Sequence, residues 1–178
     1  ALAAKDSVAN MFGAISILID QPFNVGDWII VDGVEGEVIS IGLRTTQVRS
    51  SADTMITVPN SNITNSSVEN FSQRRFRRIV PTFDFEADSD EISLKKFCDS
   101  LCEQVINDPR STKGEDSWVR VKSFAPSKVI VATNFYCISS AKTQREFTED
   151  ILLMARSRAE EHKLVFHEPR KRQHHQQV

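Results

Sequence analysis

Cysteine is sparse in this sequence. Cys98, Cys102 and Cys137 are the only three in 178 residues. Their odd number and lack of metal-type spacing exclude a disulfide scaffold and suit a reducing compartment. Long apolar runs are also missing. The uncharged apolar stretch Ser7–Ile19 is 13 residues, against roughly 17–25 for a membrane span. Lys5 and Asp6 interrupt any secretory signal pattern, and a chain opening on Ala1 is expected to continue an upstream segment. No charge sign dominates: 22 Lys and Arg face 24 Asp and Glu, a net −2. That balance gives no global pull toward nucleic acid or anionic lipid. The six glycines are scattered among turns and form no Walker, dinucleotide or nucleophile-elbow pattern. With no catalytic constellation, neither an enzyme nor a cofactor is expected.

What is present reads as folded protein, 40% hydrophobic and 26% charged, long enough for one large or two small cores. Three blocks separate by periodicity. In residues 1–21, Val8, Met11, Phe12, Ile15, Leu18 and Ile19 follow helical spacing among small residues. The predicted helix is apolar around much of its circumference, and Gln21-Pro22 ends it.

From residue 22 to 72 short strands alternate with turns. Asp27–Val31 and the strand after Asp32-Gly33 form a predicted hairpin. Gly26, Gly33 and Gly36 are expected at turns, and Ile39, Ile41 and Leu43 on one inward face. Thr45–Arg49, Met55–Val58 and Val68–Phe71 supply further strands. Pro59-Asn60 is expected to reverse the chain, with Asn60 capping the short turn after it. So many strands in about fifty residues predict a small Sm- or SH3-like β-barrel.

The third block, residues 73–169, reads as βαββα, a ferredoxin-like unit, so the whole chain is α+β. A strand at Arg77–Phe85 precedes a helix at Ser89–Ile106, capped by Asp88 or Ser89. Strands at Trp118–Phe124 and Lys128–Ile138 lead to a helix at Ala141–Lys163. Residues 170–178 are a basic, His/Gln-rich tail expected to be mobile.

Each unusual cluster has a plain alternative. Cys98 and Cys102 share a helix face, which suits metal or oxidation but more often marks small core residues. His162, His167, His174 and His175 sit on a helix end and a tail, a poor preorganised metal site, so no metal is expected. Arg74-Arg75-Phe76-Arg77-Arg78 is the one dense basic cluster. It suits a solvated strand face, anionic headgroups or RNA phosphates. A soluble Sm-like RNA-binding module with an appended α+β domain is therefore the alternative function.

The runs Pro22-Phe23-Asn24-Val25-Gly26-Asp27, Gly33-Val34-Glu35-Gly36-Glu37-Val38, Leu43-Arg44-Thr45-Thr46, Val58-Pro59-Asn60-Ser61-Asn62-Ile63 and Asn70-Phe71-Ser72, in this order, resemble the small-conductance mechanosensitive (MscS) channel family. The resemblance implies a tension-gated channel subunit in an inner membrane, multi-pass in full, with this region facing the cytoplasm. It implies a heptamer of identical subunits enclosing a vestibule that passes ions and small solutes, lipid contact through the first helix and upstream helices, and no nucleic acid. Residues 1–4 would end the pore helix and 5–21 form a surface helix, with Leu2 at the pore gate. The family's type member has glycine where this sequence has Asp6, so the helix bend is expected at Asp6 or Gly13, with Asn10 and the small residues packing closely.

Overall fold

The computed structural model describes residues 2–168, with side chains from Lys5 onward. The expectations for the Leu2 side chain and for the 170–178 tail lie outside the described residues. The chain folds as two compact units that divide between Arg74 and Arg75, and its class is α+β.

The first unit opens with α1 (Leu2–Asp20), a single uninterrupted helix through both Asp6 and Gly13. One narrow stripe of it is buried: Asn10, Gly13, Ala14 and Ile17, three and four residues apart as a 3.6-residue period requires. An antiparallel sheet comes next, made of β1 (Trp28–Val31), β2 (Val34–Ile41), β3 (Thr45–Arg49), β4 (Met55–Pro59) and β5 (Val68–Asn70). Its order is β4-β3-β2-β1-β5, a meander whose last strand returns to the first, as in Sm-like folds. The short helix α2 (Asn60–Asn65) interrupts the return. Ile17 and Phe23 pack with Ile29, Val31, Val38, Val48, Val58 and Ile63 in one core.

The β1–β2 hairpin turns on Asp32 (φ 51°) and Gly33 (φ 74°), both positive as a type I′ turn demands. Gly26 (φ 96°) serves the turn before β1. Gly36 is not at a turn. It lies inside β2, where an added Cβ would stand 2.2 Å from the Arg49 carbonyl oxygen, so the glycine permits close approach of β3. The expected inward face of Ile39, Ile41 and Leu43 is also corrected. A register shift between Val38 and Ser40 interrupts the alternation. Val38 is buried, Ile39 and Ile41 are half-buried, and Leu43 lies beyond the strand.

In the second unit, the long strand β10 (Lys128–Ile138) is central. β6 (Phe76–Ile79) and β7 (Thr82–Glu86) run along one edge, β8 (Ser111–Thr112) and β9 (Trp118–Ala125) along the other. The strand predicted over Arg77–Phe85 is therefore two, broken at Val80-Pro81, because proline has no N–H for the ladder. Helices α3 (Glu91–Ile106) and α4 (Ala141–Glu161) contribute Leu94, Phe97, Leu101, Phe147, Ile151 and Ala155 to a second core with Val129, Val131 and Phe135. The α3 cap is Asp90, whose carboxylate accepts from the Ser93 amide at 2.9 Å, rather than Asp88 or Ser89. After α4, Phe166 bridges Phe85 and stacks on its ring at 4.9 Å. This adds a rudimentary edge beside β7, where the fourth strand of a split βαβ fold lies.

Candidate functional site

The family-like runs converge at two hydrogen-bonded clasps in the first unit. The first joins α1, α2 and β3. α2 is preceded by Pro59, which makes no side-chain cap, so its leading amides need outside acceptors. The Asn60 amide donates to the Arg44 carbonyl at 3.0 Å. The Ser61 amide donates to Asn10 Oδ1, also at 3.0 Å, so α1 caps α2 from 51 residues away. Asn10 Nδ2 in turn donates to the Asp6 carbonyl at 2.9 Å. That backbone acceptor is the only described link from Asp6 to the clasp; its side chain is exposed.

Asn60 is fully buried but does not cap by its side chain. Its Oδ1 accepts from Thr46 Oγ1 at 2.9 Å, and its Nδ2 donates to the Gly42 carbonyl at 2.8 Å. Thr46 is itself fully buried, so both polar groups depend on each other for satisfaction. Gly13 faces the same residue. A Cβ there would lie 2.8 Å from the Asn60 carbonyl carbon, so Gly13 sets a backbone-close crossing of α1 over α2.

The second clasp holds the entrance and exit of the sheet. Asp27 Oδ2 accepts from the Asn24 amide at 2.9 Å and from Asn70 Nδ2 at 2.8 Å. The Trp28 amide donates to Ser72 Oγ at 2.8 Å, while the Phe71 amide donates to the Trp28 carbonyl. Asn10, Gly13, Pro59 and Asn60 thus come together in the first clasp. Gly26 and Gly33 shape turns apart from it, and Gly36 sits under β3.

Opposite its clasped stripe, α1 leaves Val8, Met11, Phe12, Ile15, Leu18 and Ile19 between 42% and 74% exposed. Burying the remainder of each would contribute on the order of 1 kcal/mol. A stripe of this extent is unusual on a surface facing only water. No helix among the described residues is long and apolar enough to cross a membrane.

The clusters weighed from sequence have local partners. Arg74 lies over the Phe71 ring at 3.8 Å and Arg75 over Phe76 at 5.3 Å. Arg77 donates to Gln144 and Arg78 to Asn134. Burial pushes the Cys98 thiol up to about 11 and raises Cys102 and Cys137 as well, which removes thiolate reactivity at neutral pH. His162 meets Ser100 at 3.2 Å and His167 meets Glu86 at 3.3 Å; His174 and His175 lie outside the described residues. Among the described residues no group of His, Cys, Asp and Glu could hold a metal.

Residues 6–73 match the family profile "Mechanosensitive ion channel, beta-domain". The chain is 38% identical over 109 residues to the small-conductance mechanosensitive channel MscMJ of Methanocaldococcus jannaschii, covering 61% of this chain and 31% of that protein. An MscS family protein of Helicobacter pylori is 29% identical over 199 residues, 93% of this chain and 32% of the relative. The chain thus spans about a third of the length of these curated relatives. The cryo-EM structure of Arabidopsis thaliana MSL1 A320V shares the fold with a TM-score of 0.88 at 21% identity, over 94% of this chain and 64% of that one. These matches cover the segments the two clasps tie together, and the chain belongs to the MscS family of mechanosensitive ion channels.

Proposed function

We propose that the chain is the pore-proximal and cytoplasmic part of a tension-gated ion-channel subunit at a cell (inner) membrane. Identical subunits, seven to a ring, form a vestibule that supports the pore and passes ions and small solutes. The observation that carries this reading is the two-sided α1. One stripe is fixed to the β-domain through Asn10, Gly13 and Ile17, and the other presents Phe12, Leu18 and Ile19 outward. That outward stripe has the chemistry of a surface meeting lipid and neighbouring subunits. Tension favours the state of larger membrane area, and a helix clasped to a folded sheet moves with it instead of fraying away. Leu2, at the start of α1, belongs to the closed gate, where an apolar ring expels water and blocks ions.

Mass measurement of the full-length protein in detergent tests the assembly. A seven-subunit ring is expected; a monomer or dimer would contradict it.

A further inference from the structure

The second unit carries a groove that neither the core nor the channel reading uses. It lies over β6, β7, β9 and β10, mostly on the sheet positions that alternate with the core, and offers about 740 Å³ open to solvent. This is the size range of small-molecule pockets. The groove exists because Ala132, a small residue, forms its floor. Thr82 stands opposite Ala132 on one side and Arg120 on the other.

Three cations line it, Arg78, Arg120 and Lys122, and among the described residues no carboxylate does. Arg78 is preorganised: its Nε donates to Asn134 Oδ1 at 2.5 Å. Asn134 is 4% exposed and is itself fixed by donating to the Asp116 carbonyl at 2.8 Å. The remaining guanidinium N–H groups of Arg78 have no partner among the described residues. Arg120 Nη1 donates to the Val119 carbonyl at 3.1 Å. Its one carboxylate contact among the described residues is Asp99 at 3.9 Å, between two side chains more than 60% exposed, which water and salt screen heavily. The walls are apolar where the cations are not: Trp118 is 38% exposed and Val80 50%.

We propose that this groove binds a small organic anion bearing a flat apolar body. Arg78, Arg120 and Lys122 take the acid group, and the ring lies against Trp118 and Val80. Guanidinium forks suit carboxylate and phosphate oxygens, and an exposed indole offers a stacking wall beside them. The proposal does not depend on channel activity.

Phenyl phosphate, an aromatic ring on a phosphate monoester, is the probe. Within these 178 residues, Trp28→Phe leaves Trp118 as the sole tryptophan, and its fluorescence is the readout. Saturable quenching is expected, weakening as salt rises. Arg78→Ala and Arg120→Ala should each weaken binding roughly tenfold, since a hydrogen bond to a charged group is worth about that. Ala132→Leu should abolish binding by filling the floor while leaving every charge in place. Circular dichroism of each variant separates lost binding from lost folding. No saturable quenching in the millimolar range overturns the proposal. So does equal quenching by benzyl alcohol or by inorganic phosphate alone, or binding unchanged in the folded Arg and Leu variants. Protection of Trp118 that rises with chain concentration without probe would assign the groove to a second copy and overturn it as well.

Discussion

The side-chain carbonyl of Asn10 accepts the backbone amide of Ser61 at 3.0 Å, so a residue in the first helix supplies the cap that the second helix lacks. Asn10 is 5% exposed, and its loss leaves the amide of half-buried Ser61 without its acceptor. Asn10→Ala should cost on the order of 1–2 kcal/mol in the first unit. Hydrogen exchange at the Ser61 amide should accelerate with it. Unchanged Ser61 protection would remove Asn10 from the clasp.

Gly13→Ala separates two physical effects of opposite sign. Helix propensity alone would stabilise α1 by about 1 kcal/mol. The new methyl, however, would lie 2.8 Å from the Asn60 carbonyl carbon and 2.9 Å from its oxygen, and neither belongs to a flexible side chain. Overpacking against backbone should win, with a net loss of about 1–3 kcal/mol in urea denaturation. A stabilised Gly13→Ala variant would mean that α1 does not approach α2 this closely.

Asn60→Ala removes two partners at once, Thr46 Oγ1 and the Gly42 carbonyl. Thr46 is fully buried and its hydroxyl would be left unpaired away from water, while Gly42 is exposed and its carbonyl can turn to solvent. The expected cost is therefore about 2–3 kcal/mol, above the roughly 1 kcal/mol of a lost surface cap. A melting shift no larger than that of a surface cap would contradict the buried role.

How much of the fold and the clasps is legible in sequence depends on how far apart the interacting residues lie. The Asp32-Gly33 hairpin and the amphipathic face of α4, with Phe147, Ile151 and Ala155, arise from neighbours in the chain, and sequence locates them. The Val80-Pro81 break is missed, because the apolar run around it suggests one strand, although a proline has no N–H for the ladder. Asn60 cannot be read correctly, because its partners Gly42 and Thr46 lie 18 and 14 residues away and meet it only after the sheet folds. Gly36 and the irregularity after Val38 depend on β3 in the same way. The edge at Phe166 depends on Phe85, across the whole second unit. Asp90 is missed in favour of Asp88 or Ser89 because several acceptors of similar capping strength crowd that stretch.

Acid should weaken the second unit through Asp108. Arg110 donates to Asp108 through Nε and Nη2 at 2.9 and 2.8 Å, and through Nη1 to Asp150 at 2.7 Å. The Arg110 hydrogen bond holds the Asp108 carboxyl below the usual carboxylate range, opposed by desolvation. A folded pKa below the unfolded value of about 3.9 stabilises the fold above that pH, and the contribution is lost as pH falls through the folded value. Asp108→Asn should lower the urea midpoint at neutral pH and flatten its acid dependence below about pH 4. Parallel profiles for parent and variant would contradict the linkage.

Patch recording of the full-length protein under graded suction tests the channel reading most directly. The parent should give stepwise currents whose open probability rises with suction. Leu2→Ser should open at lower tension or leak, because a hydroxyl wets the apolar constriction, while Leu2→Ile should behave like the parent. Silent patches from membranes that contain the protein would contradict the account. A Leu2→Ser variant that opens at the parent tension, at equal expression, would remove Leu2 from the gate.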